Sequence, residues 1–382
     1  MGAHAEDLAR KIRSRIERHG PLPFEAFMEA ALYDETEGFY ATTGGAGRRG
    51  DFLTSPEVGP LFGAVLARAL DQWWKELGRP DPFVVVEAGA GPATLARSVL
   101  AAQPACGPAL RYVLVERSAV QRARHADGLP LAPADQAFAA SVEPGDEDEG
   151  EVPSSPAGIG PLVVSLPELP AVRFTGVVIA NELLDNLPFG LLVQDGGWRA
   201  AFVDVGPDGE FTEILLPPTG ALPPGLPPAP LGARVPVQRD AMAWLGAALD
   251  LVERGRVVVF DYASDTTAMS RRPWRDWLRT YRGHERGEHP LRAPGTQDIT
   301  CELALDQLAR VREPDTVRTQ AQFLRLHGLD ELVGDGRRQW AERAHVGDLD
   351  AIRARSRVTE AEALTDPAGL GAFVVAEWVV SA

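Results

Sequence analysis

The stretch that most constrains this chain is Phe83-Val84-Val85-Val86-Glu87, apolar until its last residue and broken at once by Ala88-Gly89-Ala90-Gly91. A short β-branched run of this kind predicts a strand buried on both faces, as in a parallel sheet covered by helices. From Pro92 to Ala102 apolar residues return at helical spacing, with Leu95, Val99 and Leu100 on one face, and Leu110 to Glu116 repeats the strand pattern. Strand, glycine turn, helix and strand in that order call for a right-handed βαβ crossover. Further strands are predicted at 162–165, 176–180, 256–262, 316–320 and 373–380, so the fold class expected is α/β with a Rossmann-like, mostly parallel sheet.

Ahead of this sheet, residues 5–19 and 23–33 read as helices, the second carrying Phe24, Phe27, Met28 and Leu32 at helical spacing. A loop with Gly44, Gly45, Gly47 and Gly50 follows, and Pro60 then opens a helix whose apolar face runs from Leu61 to Leu77 and stops at Gly78. Two stretches interrupt the rhythm: Glu143 to Gly160, acidic and rich in Pro, Gly and Ser, reads as a surface loop, and Leu215 to Pro236 as an extended connector. Gly190 to Ile214 alternates well enough for an inserted β-hairpin or two.

Charge narrows the function classes. The chain carries 38 Lys and Arg against 54 Asp and Glu, a formal net charge of −16, which repels phosphate backbones and anionic lipid. Nucleic acid and membrane are therefore not expected as partners, whereas a basic or arginine-bearing protein fits; a homodimer stays open. No apolar run reaches the roughly 20 residues that span a bilayer, and Glu6, Asp7 and Glu17 interleave with the N-terminal basic residues as on a solvated helix rather than a transit peptide. Cys106 and Cys301 match neither a CxxC pair nor a zinc pattern, so free thiols and a cytoplasmic location are expected. His284 and His289 lack the spacing of a zinc helix, no metal is expected, and the absence of a G-x-S-x-G elbow and of a P-loop lysine removes hydrolase and kinase readings.

The candidate site residues follow the strands. Gly89 and Gly91 end the first strand, where glycines let backbone approach a ligand, and the missing third glycine of the dinucleotide pattern favours a nucleoside without pyrophosphate, S-adenosylmethionine over NAD. Glu116 ends the next strand, from which a carboxylate can accept hydrogen bonds from both ribose hydroxyls; the alternative is a solvated strand-end acid. Glu87 either holds loop N–H groups or touches the ligand. Val177 to Ala180 forms a strand that runs into Asn181-Glu182-Leu183-Leu184-Asp185, where Asn181 could meet an amine and Glu182 and Asp185 a cationic acceptor, against an Asx turn and a helix-start acid. In Gly50-Asp51-Phe52-Leu53-Thr54-Ser55-Pro56-Glu57, capping explains Ser55 and Glu57, but Asp51 and Phe52 in a Gly-rich loop also suit a cofactor lid or substrate clamp.

At these residues the chain resembles the MidA-like family of class I methyltransferases. The likeness runs in order through PLPFEAFMEAALYDETEGFY, GDFLTSPEVGPLFG, VVEAGAGPATLARSVL, VLVERS, ANELLDNLPF, VFDYA, TYRGH, PGTQDIT and TQAQFLRLHG. The resemblance implies a class I methyltransferase sheet with a helical N-terminal region and an inserted hairpin and loop subdomain. It implies N-terminal helices and a cofactor-facing loop over 1–58, then a catalytic domain over 59–382 with insertions near 143–160 and 190–236 and a substrate-side region near 264–315. It places Gly89, Gly91 and Glu116 on the cofactor, Asp51, Thr54 and Glu57 in the cofactor-facing loop, and Asn181, Glu182 and Asp185 toward the acceptor. Mitochondrial members of the family methylate an arginine of a respiratory complex I subunit, which implies a protein substrate and arginine methylation here. Where the family has a Gly-Pro-Gly-Arg-Gly-Thr turn this chain has Gly89-Ala90-Gly91-Pro92-Ala93-Thr94, without the basic side chain. A small-molecule O- or N-methyltransferase and a cofactor-binding assembly chaperone without turnover are the rival readings.

Overall fold

Seven strands form the central sheet: β1 Phe83–Ala88, β2 Leu110–Val115, β3 Leu162–Leu166, β4 Phe174–Asn181, β5 Val252–Asp261, β6 Thr316–Thr319 and β7 Val374–Val380. In the computed structural model, which describes residues 3–42, 54–142, 154–218, 222–282, 285–345 and 348–381, their order is β6-β7-β5-β4-β1-β2-β3. Four neighbouring pairs, β1/β2, β1/β4, β2/β3 and β4/β5, are parallel, and β6/β7 is antiparallel. All six residues of β1 and of β2 are buried, which is why these strands read as largely apolar runs, interrupted only by Glu87 in β1 and Arg111 in β2. Registers Ala88↔Val115, Ala88↔Ala180 and Phe260↔Asn181 bring the carboxyl ends of β1, β2, β4 and β5 side by side.

The sheet belongs to a unit made of Leu53–Asn181, Ala248–Phe260 and Pro314–Ala382. Its core is closed by the helix Pro60–Glu76, whose Leu61, Phe62, Val65, Leu66, Leu70 and Trp73 are buried as the apolar stripe predicts. Gly63 lets this helix press on Thr94–Ala101, since a Cβ there would stand 2.4 Å from that of Ser98.

The second unit comprises Met1–Phe52, Glu182–Ala247 and Asp261–Glu313. The three strands Gly190–Gln194, Trp198–Val205 and Phe211–Leu216 pair antiparallel, and Leu22–Pro23 and Arg234–Val237 extend the sheet on either side. Helices Ala3–His19 and Phe24–Tyr33 bury Leu8, Ile12, Phe27 and Met28 in one core with Phe189, Leu191 and Val203 of that sheet and with Trp277 and Ile299. The N-terminal helices, the hairpin strands after Gly190 and residues 261–313 thus belong to one unit. The cause is packing: neither the helical stripe nor the hairpin face can be buried alone. The strand Arg234–Val237 also corrects the reading of 215–236 as connector throughout, its Val235 and Val237 being buried.

Candidate functional site

At the carboxyl edge of the parallel sheet the chain turns through Gly89 at φ +69° and Gly91 at φ +51°, the left-handed region that glycine enters without a Cβ penalty. Among the described residues a Cβ built on Gly91 would meet no atom within 4 Å, so the turn has an open side there. Glu116, the residue after β2, accepts the Gly91 N–H at 2.9 Å on one carboxylate oxygen and the Ser118 N–H at 2.7 Å on the other. Its burial raises its pKa, an effect that these two N–H bonds oppose. Each carboxylate oxygen has a second acceptor position, so Glu116 can hold the turn and receive ribose hydroxyls as well. An acid beside an open glycine turn at a strand end fits the nucleoside of S-adenosylmethionine.

Three neighbours complete this edge. Glu87 lies buried in β1 and accepts from the Tyr112 hydroxyl of β2 at 2.7 Å; desolvation pushes it up to about 7. That bond ties β1 to the neighbouring strand β2. Glu57 accepts from Thr94 Oγ1 at 2.8 Å, which ties the short helix Ser55–Val58 to the helix after the glycine turn, while Thr54 is buried just ahead of that short helix. Asp51 and Phe52 lie outside the described residues. The turn regains a basic group from Arg97, one helical turn on, whose guanidinium donates to the Pro92 carbonyl at 2.6 Å.

His125 has no counterpart among the residues expected from sequence. It is fully buried, with Nε2 2.8 Å from the Gly91 carbonyl and Nδ1 2.8 Å from Ser165 Oγ. A carbonyl only accepts, so Nε2 donates to Gly91, and in the neutral ring Nδ1 is then left to accept the serine hydroxyl. Burial holds its pKa below the ordinary imidazole range.

Asn181 is the last residue of β4, half-buried, and Glu182 follows it at φ +51°, a conformation rare for a residue with a Cβ and frequent at functional sites. Asp185 and Asn186 lie buried in the short 3-10 turn Leu184–Asn186. Within this unit they join residues from four other segments. Asp261 accepts the Asp185 N–H at 3.2 Å and the Tyr262 N–H at 3.0 Å, and Tyr262 donates its hydroxyl to Asp185 Oδ2 and also bonds Thr300 Oγ1. Asp298 Oδ1 accepts from Tyr40 Oη and Asn186 Nδ2, each at 3.0 Å, and Tyr33 Oη donates to the Asn186 carbonyl at 3.1 Å. Burial raises the pKa of all three aspartates: Asp298 to about 7, Asp261 well above the carboxylate range with Asp185 and Glu182 adding repulsion, and Asp185 less far because Tyr262 opposes the shift. Among the described residues none of the three makes an ion pair, and no group of three or more His, Cys, Asp or Glu is arranged to hold a metal ion.

Asp261, Tyr262, Asp298 and Tyr40 therefore join Asp185 although only Asp185 stood out in the sequence. Asp261 ends a strand just as Glu116 follows one, so the same strand-end rule could have found it. Asp298 and Tyr40 offered no such signal, because their place depends on the pairing of 298–301 with 278–281 and on the packing of the N-terminal helices.

A model of a family of S-adenosyl-L-methionine-dependent methyltransferases matches residues 65–322. The chain is 25% identical over 316 residues to a mitochondrial protein arginine methyltransferase homolog of Drosophila melanogaster, covering 80% of this chain and 70% of that protein. It is also 25% identical over 347 residues to the mitochondrial protein arginine methyltransferase of Homo sapiens, covering 85% of this chain and 74% of that protein. A crystal structure from Burkholderia thailandensis, described as a methyl transferase bound to S-adenosyl-homocysteine, superposes with a TM-score of 0.79 at 28% identity, covering 99% of this chain and 92% of that one. These relatives correct one expectation: the named proteins are mitochondrial, which overturns the cytoplasmic location inferred from composition and thiols. Composition reports surface chemistry, and compartment is set by address signals that it does not record.

Proposed function

Because the chain belongs to this family of S-adenosyl-L-methionine-dependent methyltransferases, we propose that it methylates an arginine side chain of a protein, with Asn181, Glu182 and Asp185 on the acceptor and Gly89, Gly91 and Glu116 on the cofactor. The chain is an enzyme, and its cofactor is S-adenosyl-L-methionine. Bound, that cofactor supplies a methyl group on an electrophilic sulfonium. The chain's own residues have to hold its nucleoside, place the acceptor and take up a proton. Glu116 accepts from the ribose, and the open side of Gly91 leaves room for the ligand. Guanidinium stays protonated to a pKa near 13.8, so an arginine acceptor needs carboxylates that match its planar fork and relieve it of a proton.

The single observation that carries the arginine reading is a buried acidic cluster without a cationic partner among the described residues, built around Asp185 on the segment that leaves β4. The names of the relatives support it, and the resemblance extends it to a subunit of respiratory complex I as the acceptor. The test is to incubate the protein with labelled cofactor and a mitochondrial lysate, then hydrolyse the labelled protein. Labelled methylarginine is expected. Label on a small molecule would replace the arginine reading with a metabolite methyltransferase, and tight cofactor binding with no transfer to any acceptor would replace it with a chaperone.

A further inference from the structure

Asp185, Asp261 and Asp298 are 3%, 1% and 1% exposed and share one hydrogen-bonded network. Three carboxylates so deeply buried cannot all stay charged without a counter-ion. Among the described residues the nearby groups do not supply one. Arg279 lies over the Tyr262 ring at 5.5 Å, but its guanidinium pairs with Glu302 at 3.2 Å, a carboxylate it shares with Arg272. Tyr40, Tyr262, Thr300 and Cys301 carry no charge to offset them, burial raising the tyrosine hydroxyls and the thiol, and Glu182 adds repulsion. The oxygens also differ. Asp298 Oδ1 is saturated by Tyr40, Asn186 and the Ile299 N–H, whereas Asp185 Oδ1 is buried with no hydrogen-bond partner among the described residues. A buried acceptor atom left open beside protonated neighbours is what a donor-rich cation would complete.

Resting on the arginine reading, we infer that Asp185, Asp261 and Asp298 form one seat for the guanidinium, and that the cation binds by displacing a proton from it. Without a cation among the described residues, three carboxylates so deeply buried hold at least one proton between them. When guanidinium enters, that proton leaves to solvent and the charge it exposes is met by the cation, so charge in the seat balances.

The experiment uses the full chain with S-adenosylhomocysteine and N-acetyl-arginine amide as probe. Its affinity should rise about tenfold per pH unit for each proton displaced, across the neutral range. Calorimetry in two buffers of different ionisation heat should read the released proton directly, in the unaltered protein. At least one of Asp261→Asn and Asp298→Asn, with no such proton to lose, should flatten the slope. Binding with a pH-independent affinity and no proton release would overturn the inference, as would failure of every cationic probe to bind while S-adenosylhomocysteine still does. If N-acetyl-lysine amide binds with proton release and the arginine probe does not, the arginine reading fails and the proton-displacing seat stands.

Discussion

Glu116 holds two loop N–H groups with the same carboxylate offered to the ribose, so its removal acts twice. Glu116→Ala should weaken S-adenosylhomocysteine by about 1–3 kcal/mol, the range for a lost charged acceptor, measured by calorimetry. Glu116→Gln should fall between, because one of its two faces becomes a donor and meets an N–H. An equal loss with a 2′-deoxy analogue would show that only the turn, and not the ribose, depends on this carboxylate. His125 supports the other side of the same glycine, through the Gly91 carbonyl. Only neutral imidazole can both donate to that carbonyl and accept from Ser165, and its folded pKa is depressed. Its contribution is therefore present above the ordinary imidazole pKa and is lost as pH falls through the lowered value. His125→Ala should raise the dissociation constant for S-adenosylhomocysteine at neutral pH and abolish the acid-side weakening seen in the unaltered protein; unchanged affinity at both would assign His125 to packing alone.

At the scale of the element, the strands are legible because burial on both faces demands unbroken apolar runs, yet two of them carry glycine in their interior. Gly176 of β4 passes so close to β1 that a Cβ would fall 1.8 Å from the Val84 carbonyl oxygen, and a Cβ on Gly255 of β5 would fall 1.7 Å from that of Gly176. These glycines permit close strand approach upstream of the ligand edge. Gly176→Ala has to push two strands apart and should cost about 1–3 kcal/mol, the range for an overpacked core. Thermal melting checks this, with a solvent-facing change such as Gly196→Ala, where no atom lies within 4 Å of a Cβ, as the strain-only comparison. Equal melting of the two variants would refute the close-approach account.

At the scale of the whole molecule, buried acids set the dependence of stability on pH. Glu87 and Asp298 are raised to about 7, and Asp185 and Asp261 are raised as well. An acid with a raised folded pKa binds its proton more tightly in the native state, so stability is highest near the unfolded carboxylate pKa and falls as pH climbs toward the folded value. The fall is up to about 1.4 kcal/mol per pH unit for each such group, opposed at the acid end by Asp34, whose bonds to Lys11 and to loop N–H groups lower it. Denaturant melts across pH should show greater stability in mild acid than above neutrality. Asp298→Asn should flatten that slope, and stability rising through neutrality would contradict it.

Pattern in the chain was enough for the parallel sheet, the glycine turn and the strand-end acid, because each rests on a local rule. A two-faced strand needs a continuous apolar run, a tight turn needs glycine, and Glu116 follows its strand within one residue. Asp185 was readable for the same reason. The rest of the acidic seat was decided by tertiary structure: Asp261 lies 76 residues from Asp185, and Asp298 lies 112 from Asn186. In a chain of net charge −16 acidic residues are plentiful, and what separates Asp185, Asp261 and Asp298 from the other described aspartates is burial without a cation among the described residues, a property of packing between distant segments rather than of any string. His125 belongs to the same class, because a histidine in a short helical turn becomes a brace for Gly91 only once β3 delivers Ser165 to its other nitrogen.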